Sequence, residues 1–283
     1  MLHSVKNMVY RFFTDRFYDL SAQMAYYFML SMIPFLIFVF SLISFLPFDS
    51  DNILLMIEPF APANTYGMIR STLHSLLHDG QGQWLPVSLL AAFWLASMAV
   101  QSLVRSLNHA YQFTRPQPFL EALLNDLFLT LGFMVVLSLS LFVPIIEQII
   151  HTFVVTRVEV PALWGQMWTF IKWGIGTGFL FVFFLLLYKI VPSMKLSWLK
   201  VMPGALFATL GWQGVSLIFS YYVALGNYSK IYGQLGSIIV LMTWFYLTAV
   251  VLLTGGLINA EVYHKKGKRD NIVRDRIKNI SDK

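Results

Sequence analysis

Six long apolar runs dominate this chain of 283 residues, at about 22–46, 84–106, 127–150, 166–190, 201–225 and 236–261. Each run has about 23–26 residues, so as a helix rising 1.5 Å per residue it covers roughly 35–39 Å. The hydrocarbon core of a bilayer is about 30 Å thick, and every run is long enough to cross it with some tilt. In lipid the backbone must satisfy its own hydrogen bonds, which restricts spanning structures to helices and closed barrels. No strand-like alternation competes. The sequence predicts an all-α fold, a polytopic transmembrane bundle of six spans.

Composition supports lipid as the solvent. The chain is 57% hydrophobic and 12% charged, with a mean hydropathy of +0.66. Soluble domains carry about 25% charged residues, and half that charge would leave large apolar patches in water. There are no cysteines, which excludes disulfides and thiolate metal sites. Residues 1–20 carry Lys6, Arg11, Asp15, Arg16 and Asp19 and lack the early apolar core of a cleaved signal. The first span is expected to stay in the mature protein.

The basic residues set an orientation. Lys6, Arg11, Arg16, Arg105, Arg115, Lys189, Lys195, Lys200 and the eight of the tail fall on one side, sixteen of the 20 Lys and Arg. The positive-inside rule places that side, with both termini, in the cytoplasm. The net charge of +6 is then a matter of topology and not of nucleic-acid binding. The expected domains are a membrane domain over 1–262 and a basic cytoplasmic tail over 263–283, suited to anionic lipid headgroups. The tail has no aromatic residue after Tyr263, which argues against nucleic acid as a partner.

Three further pieces complete the organisation. Within residues 5–20, Val5, Met8, Val9, Phe12, Phe13 and Phe17 gather near one helical face, predicting an amphipathic interfacial helix on membrane lipids. The outer loop 47–83 carries Ile69, Leu73, Leu76 and Leu77 at helical spacing, predicting short amphipathic helices there. The short stretch GNYSKIYG between the last two runs predicts an antiparallel pair.

The first run contains AYYFMLSMIPF. Asp19, Gln23, Tyr27, Ser31 and Pro34 follow helical spacing and form one stripe. Pro34 cannot donate to the carbonyl of Leu30 and crowds that turn. The freed carbonyl needs protein or water beside it, so the stripe faces the bundle, either as a bent packing face or as the lining of a path. Ionisable residues near the spans offer candidate gating pairs, since charges at depth pair or line water. Arg105 could pair with Asp126 or Asp19 toward the inner side, and Glu147 with Lys172 toward the outer. Lys172 also suits snorkelling among Trp164, Trp168 and Trp173.

Small residues recur at helical spacing. Gly174 and Gly178 form GxxxG, Gly204, Ala208 and Gly211 share a face, and so do Gly255, Gly256 and Ala260. Such faces let backbones approach closely, within the chain or in a homo-oligomer. Enzyme chemistry has little support. Only His74, His78 and Asp79 have ligand-like spacing, and they lie on the outer loop. There is no phosphate-binding P-loop and no GxSxG nucleophile elbow. No catalytic set, metal or cofactor is expected.

Several stretches carry a family resemblance. They are PGA at 203–205, YGQLGSIIVLMTWFYLTAVVLLTGGLINAE at 232–261, AYYFMLSMIP in the first run and SLNHAYQF at 106–113. With these the chain resembles the YihY/BrkB family of bacterial inner-membrane proteins, from about residue 5 to 265. The resemblance implies six spans, cytoplasmic termini and a place in the bacterial plasma membrane. It implies no reaction, since the family's former ribonuclease BN label is regarded as a misassignment. The chain departs from the family where Gly-Ala-Glu is usual. It has Gly255–Gly256 there, and its acid falls at Glu261, so a role tied to the usual acid does not carry over. Taken together, the sequence points to a membrane protein that moves or binds an amphiphilic or lipid-like molecule. A non-catalytic envelope scaffold is the alternative, and a hydrolase or ribonuclease comes last.

Overall fold

The computed structural model describes residues 2–44, 85–115, 117–140, 143, 150–155, 164–225 and 235–281. They form helices α1 (Leu2–Thr14), α2 (Phe17–Ser44), α3 (Leu85–Ala110), α4 (Phe119–Ser140), α5 (Trp164–Ile190), α6 (Trp198–Leu225) and α7 (Leu235–Ser281). Residues 150–155 are also helical. No strand occurs among the described residues, and the all-α expectation holds. Helical segments at Phe119–Ser140, Met167–Ile190, Trp198–Val223 and Ile238–Lys265 are long and apolar enough to cross a membrane. Helices α2 and α3 occupy the first two expected runs. The outer loop 47–83, with His74, His78 and Asp79, lies outside the described residues, as does Glu147.

The contacts divide the chain into two units. Unit 1 comprises residues 1–29, 101–122 and 173–283. Its centre is a close approach of α5, α6 and α7. Gly204 faces Gly255 and Asn259, Gly211 faces Val251, and the rings of Trp212 and Trp244 meet at 6.0 Å. Partners on α7 run backward as α6 runs forward, so the two helices pack antiparallel. A Cβ on Gly204 would run into the Gly255 carbonyl and the Asn259 side chain, and one on Gly255 into the Tyr188 hydroxyl. Glycine is required at both positions because backbone and side chain fill the space a methyl would need. Tyr188 is fully buried, and its hydroxyl donates to the Leu252 carbonyl at 2.7 Å.

Not every small-residue face is used in this way. Nothing lies within 4 Å of where a Cβ would stand on Gly174 or Gly178, so among the described residues this GxxxG face is open. Small size permits close packing but supplies no attraction of its own.

Unit 2 comprises residues 30–100 and 123–172. Within α4, Asp126, Thr130, Met134 and Ser138 are the buried positions, at i, i+4, i+8 and i+12. Phe128, Leu131, Val135 and Leu139 are exposed. A helix that buries its polar stripe and exposes its apolar side is suited to lipid. Thr130 and Ser138 donate back to the carbonyls of Asp126 and Met134, both at 2.7 Å.

The N-terminal region differs from one interfacial helix over 5–20. Arg16 adopts a left-handed conformation, φ 54°, which ends α1 and starts α2. Phe12 and Phe17 stack across this corner with centroids 6.4 Å apart, the apolar contact that accompanies a left-handed helix end. Asp19 therefore belongs to the first turn of α2, where an acid complements the helix dipole. Phe17 is fully buried, whereas Val9, Tyr10 and Phe13 are exposed on one face of α1.

Candidate functional site

Unit 1 contains an open pocket of about 510 Å³, within the size range of small-molecule sites. The α1–α2 corner contributes Asp15 and Arg16, and the first turns of α2 contribute Asp19, Leu20 and Gln23. The last turns of α3 contribute Ser102, Arg105, Ser106 and His109. The spacing explains the α3 wall, because i, i+3, i+4 and i+7 fall on one helical face.

Arg11 holds the two walls together. Its Nη2 donates to the Ala110 carbonyl at 2.9 Å, satisfying one of the carbonyls orphaned at the end of α3. Its Nε pairs with Asp15 at 3.1 Å. The end of α3 is closed by a second left-handed residue, Gln112, φ 54°. Phe113 N donates to Asn108 O at 2.9 Å and Gln112 N to His109 O at 3.0 Å, the paired bonds of a Schellman cap. Asn108 is itself fixed by the loop after α5. It donates to Ser193 Oγ and accepts from Ser193 N, each at 2.9 Å. His109 packs on Phe17, with ring centroids 5.5 Å apart.

On the far side of the Arg11 anchor, Asn7 donates to Glu261 at 3.0 Å, so α1 also docks on α7. Tyr111 is buried with its ring edge on Tyr263, 6.1 Å between centroids, and its hydroxyl has no hydrogen-bond partner among the described residues. Burial raises the pKa of Tyr111 well above the usual tyrosine value.

Of the residues singled out from the sequence, Asp19, Gln23 and Arg105 come together in this pocket. Asp19 and Arg105 make no ion pair with each other, and among the described lining residues it is Asp15 that forms one, with Arg11. Tyr27 is half-buried and does not line the pocket. Its ring lies 5.7 Å from that of Tyr26. Ser31 is half-buried in unit 2, and α2 continues through position 34, the Pro34 side chain lying outside the described residues. Asp126 is buried in unit 2. Lys172 is exposed, near in sequence to Trp164 and Trp168, which stack at 5.8 Å. Sequence reasoning missed Ser102, Ser106 and His109, although their spacing around Arg105 was a readable signal. It also missed that Arg16 would leave the interfacial face and turn into a pocket wall.

Among the described residues, no group of three or more His, Asp or Glu side chains is arranged to hold a metal. The ribonuclease-like protein YfkH of Bacillus subtilis is 40% identical over 247 residues, covering 87% of this chain and 90% of its own. A UPF0761 membrane protein of Tolumonas auensis is 28% identical over 255 residues, covering 87% of this chain and 80% of its own. Another, of Chlorobium luteolum, is 29% identical over 262 residues, 90% of this chain and 58% of the relative. No solved structure matches. The sequence pattern of the family described as virulence factor BrkB matches residues 8–278, and the chain belongs to that family.

Proposed function

We propose that this protein spans the bacterial plasma membrane six times, with both termini in the cytoplasm, and binds and moves an amphiphilic, lipid-like molecule. The observation that carries the reading is the pocket at the ends of α2 and α3. It is walled by charged and hydroxyl-bearing residues in a chain whose helices otherwise turn apolar side chains outward. A polar pocket on an apolar bundle suits a molecule with a polar head and an apolar body. In this reading α2 and α3 are the first two spans. The pocket receives the head, and Asp19 and Gln23 begin a route along α2 that Tyr27, Ser31 and Pro34 continue. Arg105 and Asp19 act as inner gate residues, and Glu147 and Lys172 serve the outer end. The basic tail and the exposed Val9, Tyr10 and Phe13 face of α1 hold the inner leaflet through anionic headgroups and apolar insertion. The ribonuclease-like name of the Bacillus relative finds no counterpart in this reading, which assigns no catalytic residue.

The test is movement of fluorescent lipid analogues in proteoliposomes. Transfer above that of empty vesicles, lowered by Arg105→Gln and Gln23→Leu, is expected. Transfer unchanged by both substitutions would sink the assigned route.

A further inference from the structure

Two features of the pocket call for a ligand of particular chemistry. The first is a pair of stranded hydroxyls. Ser102 and Ser106 are each 1% exposed, and neither Oγ has a hydrogen-bond partner among the described residues. Other buried hydroxyls on these helices turn back to their own backbone. Ser21 donates to Phe17 O on α2 at 2.8 Å, and Ser97 to Trp94 O on α3 at 2.8 Å. Ser102 and Ser106 forgo that bond while lining a pocket, and a buried polar group left unmade is destabilising.

The second feature is a small excess of solvent-exposed positive charge. Arg16 and Arg105 approach from different elements, and neither makes an ion pair among the described residues. Asp15 is already matched by Arg11 at 3.1 Å. Asp19 is then the one lining carboxylate left against two guanidinium groups, with the His109 imidazole beside them. Arg16 also holds its place in a left-handed conformation, φ 54°, which disfavours any side chain with a Cβ.

We infer that this pocket binds a phosphate group, with Arg16 and Arg105 giving charge-assisted hydrogen bonds and Ser102 and Ser106 donating their hydroxyls. Guanidinium groups match phosphate oxygens in geometry and charge. Donors from two separate elements surround a tetrahedral anion better than a flat one. The inference rests on the amphiphile reading only for the source of the phosphate. A lipid headgroup and a free phosphate share the chemistry.

The test uses the purified full chain in maltoside micelles and phosphate-free buffer, with three probes. These are dihexanoyl phosphatidic acid, dihexanoylglycerol as its phosphate-free match, and inorganic phosphate. Phosphatidic acid is expected to bind saturably and dihexanoylglycerol weakly. Arg105→Gln should weaken phosphatidic acid binding on the order of tenfold or more. Arg16→Gly should do the same with an unchanged or higher melting temperature, because glycine suits the left-handed position. Ser102→Ala with Ser106→Ala should weaken binding without lowering the melting temperature, since it removes unsatisfied hydroxyls. Equal binding of phosphatidic acid and dihexanoylglycerol, indifferent to Arg105→Gln, would overturn the phosphate site and leave the amphiphile reading standing. Inorganic phosphate binding as tightly as phosphatidic acid, and lost in Arg105→Gln, would keep the site and remove the lipid as its source. No saturable binding of any probe to folded protein overturns the inference, and lipid transfer in proteoliposomes then judges the amphiphile reading separately.

Discussion

The backbone N–H of Gly204 donates to the side-chain oxygen of Asn259 at 2.7 Å, in a fully buried setting. Pro203 lies just before it inside α6 and interrupts the helical ladder. The next N–H is taken by a side chain from α7. The two partners come from PGA and INAE, separate stretches of sequence that the fold makes into one joint.

Breaking that joint should destabilise the whole of unit 1. Asn259→Ala removes the buried bond between its side-chain oxygen and the Gly204 N–H, at a cost of about 0.5–1.5 kcal/mol. Gly255→Ala forces a methyl toward the Tyr188 hydroxyl and strains its bond to Leu252, with overpacking of about 1–3 kcal/mol. Lower thermal unfolding temperatures in detergent are expected for both. Wild-type unfolding in either variant would show that the approach of α6 and α7 is dispensable.

Arg11 should govern the docking of α1. Arg11→Ala removes the bond to the Ala110 carbonyl and the pair with Asp15. Hydrogen bonds to charged groups contribute about 1.5–3 kcal/mol, so local opening of α1 should rise on the order of tenfold or more. Hydrogen exchange over residues 6–14 reads this directly. Arg11→Lys should rescue only in part, because an ammonium cannot present the same fork of donors.

Tyr111 should make stability fall at alkaline pH. Its folded pKa is raised by burial, so its contribution is complete below the unfolded value of about 10. It is lost as pH rises further, because only the unfolded state ionises easily. Tyr111→Phe should flatten that alkaline slope relative to the wild type. It should not destabilise at neutral pH, since the hydroxyl has no partner among the described residues. An unchanged alkaline slope in the variant would count against this account.

The chain has no cysteine, so single introduced cysteines report sidedness cleanly. In right-side-out vesicles, Lys6→Cys and Lys268→Cys should resist a membrane-impermeant thiol reagent, while Asp79→Cys should react. Labelling of Lys6→Cys without lysis would reverse the proposed orientation.

Truncation after Tyr263 separates transport from scaffolding. Lipid transfer should persist in the truncated protein and fall in Arg105→Gln. Loss of transfer on truncation alone, with Arg105→Gln intact, would favour a role centred on the tail.

Much of this molecule was legible along the chain. Run length, apolar content and the absence of alternation were enough for an all-α membrane fold, because a backbone in lipid has almost no other way to satisfy its hydrogen bonds. The faces of Gly204, Ala208 and Gly211 and of Gly255, Gly256 and Ala260 could be read as surfaces for close packing. Their being each other's partners could not. The open Gly174–Gly178 face shows that the same pattern also occurs where nothing packs among the described residues. The corner at Arg16 was hidden because no glycine or asparagine marks it, and its left-handed turn is held by Phe12 stacking on Phe17. The pocket depended on that corner. Asp19, Gln23 and Arg105 were visible as isolated polar positions on helices distant in sequence. Only the tertiary structure brought them beside Arg16, Ser102, Ser106 and His109, because helix periodicity fixes the face of a residue but long-range packing chooses what that face meets.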